Sequence, residues 1–338
     1  MSEQLRRELA ELSERDESAA AIVRARAAQV LRPAGALQRL DDVAVHIAAW
    51  QGSATPSVDR PAVLVFAGDH GVTAAGVSNY PADVTVAMLA AVSAGRATIN
   101  ALARSVGTTL SVFDVGVGRP TGDIRVEAAM SAERFAEVIA IAVTAVDDAV
   151  VAGADLLVFG ELGIGNTTIA AALSAALLGG DKAAWIGRGT GIDDDGLERK
   201  RRAVDQAIAR VSSLTDPIEI MREIGGTELT AMAAACARAR HHRVPVVLDG
   251  YVATAAVLPL DIARPGALDH CLMGHLSPEP GHRRILDHLG VEPLLDLSMR
   301  LGEGSGALAA VPLIRMACAS VVEVATFDEW FGNGRFGE

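Results

Sequence analysis

A short apolar run, then a small loop holding glycine and an acid, then an alanine-rich stretch: this order recurs along the chain and restricts its fold more than any other feature. It occurs in AVLVFAGDHGV (62–72), TLSVFDVGVG (109–118), DLLVFGELGIGNTTIAAALSAALLGG (155–180) and VPVVLDGYVATAAVLPL (244–260), with HCLMGHLS (270–277) as a fifth candidate. Continuous apolar runs suit strands of a parallel sheet covered on both faces, and the alanine-rich stretches suit the helices that cover it. The stretches do not repeat one another in sequence, so they read as successive βα units and not as a solenoid. The expected fold is α/β: a Rossmann-like, open, mostly parallel sheet flanked by helices. Residues 60–306 carry these units. Residues 1–59 and 307–338 lack strand signals and are expected to pack together as a small helical subdomain built from the two chain ends.

Composition narrows the function. Apolar residues make up 50% of the 338 but aromatics only 4%, so the core is built from Ala, Val, Leu and Ile. A net charge of -12 argues against nucleic acid or an anionic membrane as partner, yet permits a phosphate held by a few local donors. The segment MSEQLRRELAELSERDESAA is charged and reads as an exposed amphipathic helix, not a signal peptide. The longest uncharged run, between Glu161 and Asp181, is interrupted by Gly163, Gly165, Asn166 and Gly180. A membrane span needs about 20 mainly apolar residues, so this run is expected to be a loop and a buried helix, and no transmembrane segment is expected. Cys236, Cys271 and Cys318 are odd in number, far apart in sequence and set in apolar surroundings, with no CxxC. They are expected to be reduced core residues of a cytoplasmic protein.

In an open parallel sheet, ligands bind outside the carboxyl ends of the strands. Asp69, His70, Asp114, Glu161, Asp249, His275 and Ser277 all fall at such ends. In GELGIGNTTIAAAL, Gly163 and Gly165 allow a sharp turn, and Asn166, Thr167 and Thr168 stand where a helix begins. Unpaired N–H groups and the helix dipole make that position an anion site. Plain capping by the threonines accounts for part of the pattern, but the added glycines and the strand-end Glu161 favour a phosphate cradle. No GxxxxGK[ST] occurs, which weakens a kinase or ATPase reading. A second glycine turn, WIGRGTGIDDDGLERK (185–200), has Asp193 or Asp194 as an acidic N-cap and Lys200 as a candidate phosphate contact. Its contiguous aspartates lack the alternate spacing of a calcium loop.

His270, His275, His282 and His288 match no compact metal-ligand spacing, no cysteine or carboxylate is expected to complete a set, and structural or polar-contact roles are expected. LSPEPGH (276–282) places Ser277 and Glu279 on a rigid loop. Tyr80 and Pro81, with Met88 beneath, are candidates for one wall of a pocket for a flat ring, or for a simple loop anchor. In SMRLGEGSGALAA (298–310), one acid, Glu303, stands among glycines, where a ligand can press against the main chain.

Across nearly its whole length the chain resembles the nicotinate-nucleotide–dimethylbenzimidazole phosphoribosyltransferase family. The matching stretches are FAGDHGV, GVSNYP, GELGIGNTT, GRGTGIDD with LERK, VPVVLDGYVATAA, EPGH and GVEPLLDLSMRLGEGSGALAA. The resemblance implies transfer of the 5-phosphoribosyl group of nicotinate mononucleotide to a ring nitrogen of 5,6-dimethylbenzimidazole. The products would be α-ribazole 5′-phosphate and nicotinate, with inversion at the anomeric carbon and neither metal nor cofactor. It implies that Glu303 is the general base and that Glu161 holds or polarises the reacting groups across the site. Gly163, Gly165, Asn166 and Thr167 would line the phosphoribosyl site, with Lys200, Asp249 and Ser277 as further contacts and Ser78, Tyr80 and Met88 near the aromatic base. Residues 60–306 would then form the nucleotide- and base-binding domain, in a homodimer. The chain departs from the family pattern at Ala82 and Ala87, where the family carries a glutamine-bearing pattern, and at Thr227, read as a packing change. Two other readings keep the fold: transfer to another base (adenine, another benzimidazole or a phenol), and a non-catalytic nucleotide-binding protein.

Overall fold

The computed structural model describes residues 3–332. Five parallel strands, β1 (Pro61–Gly68), β2 (Thr109–Gly116), β3 (Leu156–Leu162), β4 (Val246–Leu248) and β5 (Cys271–Met273), pair in the order β2-β1-β3-β4-β5. The strands expected from the sequence are all present. Strand order reverses at β1, with β2 on one side and β3 on the other, which makes the carboxyl ends of β1 and β3 the place where a ligand crevice is expected in such a sheet.

Alternation along β1 and β3 divides the core between two faces. Leu64, Phe66, Leu157 and Phe159 pack against the helices Ala132–Val151, Asn166–Leu178, Thr227–His241 and Tyr251–Ala263. Val63, Val65, Ala67, Leu156 and Val158 pack on the other face against the helices Gln38–Gln51, Thr98–Val106 and Ser305–Val322. Thr227–His241 is buried almost all round, which its small residues (AMAAACA) permit by allowing close approach to neighbours. That is why so large a core contains so few aromatics. Strand β2 is the exception among the strands: it lies at the sheet edge and is partly exposed, where continuous burial was expected. Among the described residues, two apolar segments match a membrane span in length and composition, Val84–Val106 and Ser305–Val322. The first is two helices broken at Gly95 (φ 73°), and the second packs against the sheet.

Helices from both chain ends meet. Glu17–Ala27 lies on Gln38–Gln51, and Arg26 donates to the carbonyls of Val321 and Val324, both at 2.9 Å. Helix Ser305–Val322 shares its apolar cluster with β1, β3 and β4. Residues 1–2 and 333–338, assigned to the helical subdomain on sequence grounds, lie outside the described residues. The cysteines depart from expectation: Cys236 and Cys271 are not separate core residues but have sulfurs 3.5 Å apart beside His270. Folding thus supplies the cysteine neighbours that linear spacing hid.

One backbone contact sets the site. A Cβ on Gly160 of β3 would overlap the Glu303 carbonyl, and Gly304 (φ 84°) lies against the Gly160 Cα. Only glycine lets the C-terminal loop lie on the strand this closely. Gly160→Ala is expected to cost about 1–3 kcal/mol by overpacking, read as a lower denaturation midpoint, and to impair any activity that needs Glu303 in place.

Candidate active site

Glu161 closes β3, and Glu303 sits directly over it. The Glu303 N–H donates to the Glu161 carbonyl at 3.3 Å, and a Cβ on Gly302 would stand 2.6 Å from Glu161 Oε1. Both acids are buried. Glu303 itself adopts a left-handed backbone (φ 63°), uncommon for a residue with a side chain. That conformation places its carboxylate at the start of helix Thr98–Val106, where Oε2 accepts from the Ile99 N–H at 3.4 Å. Burial raises the Glu303 pKa, the Ile99 N–H partly opposes this, and Asp249 raises it further. Glu161 lies well above its ordinary value. Burial is the main cause and Asp249 and Glu228 add to it; an accepted hydrogen bond from Asn166 opposes, and Glu303 raises it again.

The neighbouring groups have defined partners. Asp249 follows β4 and accepts from the N–H groups of Gly304 (3.2 Å) and Ala307 (2.8 Å), so it caps helix Ser305–Val322 and holds the Glu303 loop. His275 Nε2 lies 3.4 Å from it. Asp69 accepts from the Gly118 N–H at 2.8 Å. His70 follows β1 and pairs with Glu228 at 2.7 Å, both buried, and Gly163 is packed against this pair and against the Gly68 carbonyl. Asp114 does not join them: it is exposed and accepts from the N–H groups of Gly116 and Val117 within its own turn. Glu228 is the group the sequence reading passed over. The available signal was an acid in the first turn of an alanine-rich helix, just after two glycines. Thr227, beside it, fills the space between Gly68 and Gly116.

Beyond Glu161, the glycine loop leads into helix Asn166–Leu178. Its N-cap is Gly165 (φ 91°), with no side-chain cap, so the threonines do not close the helix as ordinary capping would have it. Thr168 faces the core, whereas Thr167 Oγ1 accepts from Lys200 Nζ at 2.8 Å. Lys200 is buried, not solvated, and also donates to the Gly187 carbonyl at 3.1 Å. Burial lowers its pKa to about 8, with Glu279 opposing. Glu279 accepts from the Gly189 N–H at 3.0 Å, which joins the second glycine turn to the LSPEPGH loop. Ser277 lies on that loop; its N–H donates to His282 Nδ1 at 2.9 Å, and its Oγ accepts from the Glu279 N–H at 3.3 Å. Asp193 caps helix Asp194–Val211 by accepting from the Gly196 N–H at 2.7 Å.

The ring-wall candidates are more open. Tyr80 is 51% exposed, and its N–H donates to Ser78 Oγ at 3.1 Å. Asn79, between them, donates to the Gly191 carbonyl at 2.8 Å, tying this loop to the second glycine turn. Thr85 accepts from the Ile164 N–H at 3.3 Å, and Met88, three residues on, shares that face of helix Val84–Ser93. The structure therefore groups Glu161, Glu303, Asp249, Gly163, Gly165 and Asn166 at the carboxyl ends of β1, β3 and β4. Thr167 and Lys200 are bonded to each other beyond the glycine loop, Ser277 packs beside Gly250, and the Ser78–Met88 segment lies beside the glycine loops.

Comparison with known proteins identifies the class first: a phosphoribosyltransferase family model matches residues 12–330. Over 322 residues the chain is 50% identical to the nicotinate-nucleotide--dimethylbenzimidazole phosphoribosyltransferase of Methylocella silvestris, covering 95% of this chain and 93% of that one. It is 49% identical over 328 residues to the protein of the same name from Rhizobium etli, with 97% and 96% covered. The crystal structure of CobT from Thermus thermophilus superposes with a TM-score of 0.89 at 42% identity, covering 94% of this chain and 100% of that one. The chain belongs to the nicotinate-nucleotide--dimethylbenzimidazole phosphoribosyltransferase family.

Mutual repulsion among buried carboxylates makes a stability test. A carboxyl whose folded pKa is raised binds more protons folded than unfolded, so its contribution falls as pH rises through the folded value. Glu161→Gln is therefore expected to raise Tm above neutral pH. The gain should shrink toward acid pH, where the wild-type carboxyl is protonated in both states. Thermal melts of both proteins across pH read this directly.

Proposed function

We propose that this chain transfers the 5-phosphoribosyl group of nicotinate mononucleotide to a ring nitrogen of 5,6-dimethylbenzimidazole. The products are α-ribazole 5′-phosphate and nicotinate, the step that assembles the lower-ligand nucleotide of cobamides. The observation that carries this reading is the pairing of Glu161 and Glu303 over a single strand end, with Asp249 and Glu228 close by. A pocket this rich in buried carboxylates disfavours anions and relaxes when a cation enters. The nucleotide brings one, because its pyridinium nitrogen is positively charged, and bond breaking moves that charge onto the ribosyl carbon.

The steps then follow from the residues. The phosphate sits against the glycine loop and the start of helix Asn166–Leu178, on the Lys200 side, where helix end and ammonium both favour an anion. Gly163 and Gly165 let the sugar approach the main chain, with Asn166 and Thr167 beside it. The benzimidazole attacks the anomeric carbon through its bare nitrogen from the face opposite nicotinate, which inverts the configuration. The electron pair of the breaking C–N bond returns to the nicotinate ring. The proton on the second benzimidazole nitrogen becomes acidic as the new bond forms, and Glu303, raised by burial, accepts it. Glu161 faces the developing positive charge, and Asp249 and Ser277 keep the loops in register. Ser78, Tyr80 and Met88 border the acceptor ring. Base catalysis contributes about 10² to 10⁴-fold; alignment of the two substrates contributes up to about 7–11 kcal/mol. Binding geometry is thus the larger part.

We extend the proposal to a cytoplasmic homodimer. Helix Val84–Ser93 is apolar on every side, yet Val86 is 50% exposed, and the adjoining Tyr80 adds to an apolar surface that a second copy would cover. Light scattering reads the oligomeric state.

The direct test is incubation with nicotinate mononucleotide and 5,6-dimethylbenzimidazole, with release of nicotinate and an α-linked product expected; release without any accepted base, or none with a panel of bases, would overturn the reading. Glu303→Gln is expected to lower kcat by about 10² to 10⁴-fold, to leave the nucleotide KM nearly unchanged, and to remove the acid limb of the pH–rate profile. Lys200→Met is expected to raise the nucleotide KM more than it lowers kcat. In the wild type, affinity for the nucleotide should fall above pH about 8, where Lys200 loses its charge.

A further inference from the structure

Away from the crevice, three soft or borderline donors converge. Cys236 comes from helix Thr227–His241, Cys271 opens β5, and His270 precedes it. Cys236 and His270 are fully buried and Cys271 nearly so. Their donor atoms form a nearly equilateral triangle: Sγ to Sγ 3.5 Å, Cys236 Sγ to His270 Nε2 3.7 Å, and Cys271 Sγ to His270 Nε2 3.8 Å. Metal bonds of about 2.3 Å to sulfur and 2.0–2.1 Å to nitrogen, meeting near the tetrahedral angle, set donors roughly 3.5–3.8 Å apart. The side chains are thus already spaced as one face of a metal tetrahedron. An isolated buried cysteine is simply a small apolar residue, but two sulfurs closing on one imidazole is the arrangement of a ligand set.

We propose that Cys236, His270 and Cys271 form a binding site for a single thiophilic d¹⁰ cation, Zn²⁺ or Cu⁺. Two thiolates and an imidazole select soft cations over Mg²⁺ or Ca²⁺. Among the described residues no fourth His, Cys, Asp or Glu joins the group. The three donors therefore suit three-coordinate Cu⁺, or Zn²⁺ with one small external ligand. Binding displaces the two thiol protons and moves the imidazole proton from Nε2, which hydrogen-bonds the Cys236 carbonyl at 3.0 Å, to Nδ1. No electron is transferred. The packing divides the thiol protons unequally: burial acts to raise Cys236, but the hydrogen bond from Cys271, together with His270 and Arg240, draws it below the ordinary thiol value. Cys271 is raised, by burial and by its Cys236 neighbour.

The site lies at the opposite end of the sheet from the proposed chemistry. Cys271 pairs with Val246, and Val246 with Leu157, four residues before Glu161 on β3; at about 3.3 Å per residue this is about 13 Å along the strand. The cation would pin helix Thr227–His241 to the outer strand β5, and the first turn of that helix carries Glu228. The effect expected is therefore on stability, not on the reaction.

The test uses the full chain, reduced and stripped by chelator. On titration with Co²⁺, a thiolate-to-cobalt charge-transfer band saturating at one equivalent per chain is expected, and Zn²⁺ should displace it. Zn²⁺ and Cu⁺, added separately, should each raise Tm, and the larger rise identifies the preferred cation. Cys236→Ala or Cys271→Ala should abolish the band, whereas Cys318→Ala should retain it. Absence of the band in the intact chain, with no rise in Tm from either Zn²⁺ or Cu⁺, would overturn the proposal, with no need for a folded variant. So would saturation that persists in both single variants. Loss of two titratable thiols to a mild disulfide oxidant, with no bound cation under reducing conditions, would overturn it in favour of a redox pair. Transferase activity enters none of these readouts, so failure here leaves the proposed reaction standing, and the reverse.

Discussion

The site depends on main chain lying directly on main chain. At Gly160 the strand β3 has no side chain, and the loop carrying Glu303 settles into that space so closely that a single methyl would overlap a carbonyl. A second constraint acts from the other side. Asp249, from the end of β4, holds the N–H groups of Gly304 and Ala307 and so fixes where helix Ser305–Val322 begins. Between these two holds, Glu303 is forced into a left-handed backbone that an unconstrained residue with a side chain seldom takes. The unfavourable conformation points one carboxylate at the end of helix Thr98–Val106, above another carboxylate, Glu161.

Such crowding of acids costs stability, and the fold offsets the cost in several ways. A helix N-terminus faces Glu303, an asparagine amide faces Glu161, a histidine faces Glu228, and two backbone N–H groups face Asp249. Each device satisfies an oxygen without adding the positive charge of an arginine or lysine. Lys200, the one buried lysine among the described residues, is kept among the glycine loops with Thr167 and Gly187. The region is therefore polarised, with carboxylates gathered around Glu161 and Glu303 and a lysine among the glycine loops. Under the proposed function, a nucleotide with a positively charged ring nitrogen and a negative phosphate would match that polarity.

Much of this was legible before folding. Continuous apolar runs announced the buried parallel strands, and glycine with an acid after each run announced the loops at their carboxyl ends. The glycine loop before helix Asn166–Leu178 and the isolated Glu303 stood out because their composition breaks the local pattern. Other features were not legible, for definite reasons. The exposure of β2 depends on its being an edge strand, and strand order is not written in strand composition. Glu228 drew no notice in the sequence, because its His70 partner lies 158 residues away. Lys200 stood out as a candidate phosphate contact, but its burial and its hydrogen bond to a loop 13 residues upstream depend on folding. Asp114 read as a site residue because it ends a strand, but at the sheet edge its carboxylate turns back on its own loop.

The sequence by itself determined the layered α/β architecture, the kinds of residue at the strand ends and the family, since periodicity and motif composition are local properties of the chain. The tertiary structure alone decided which of those residues meet. The strand order set β1 beside β3, glycine contacts brought the tail over β3, and close helix packing set Cys236 beside His270 and Cys271. These are distances between segments far apart in the chain, fixed by how side-chain volumes fill a common core, and no local pattern encodes them.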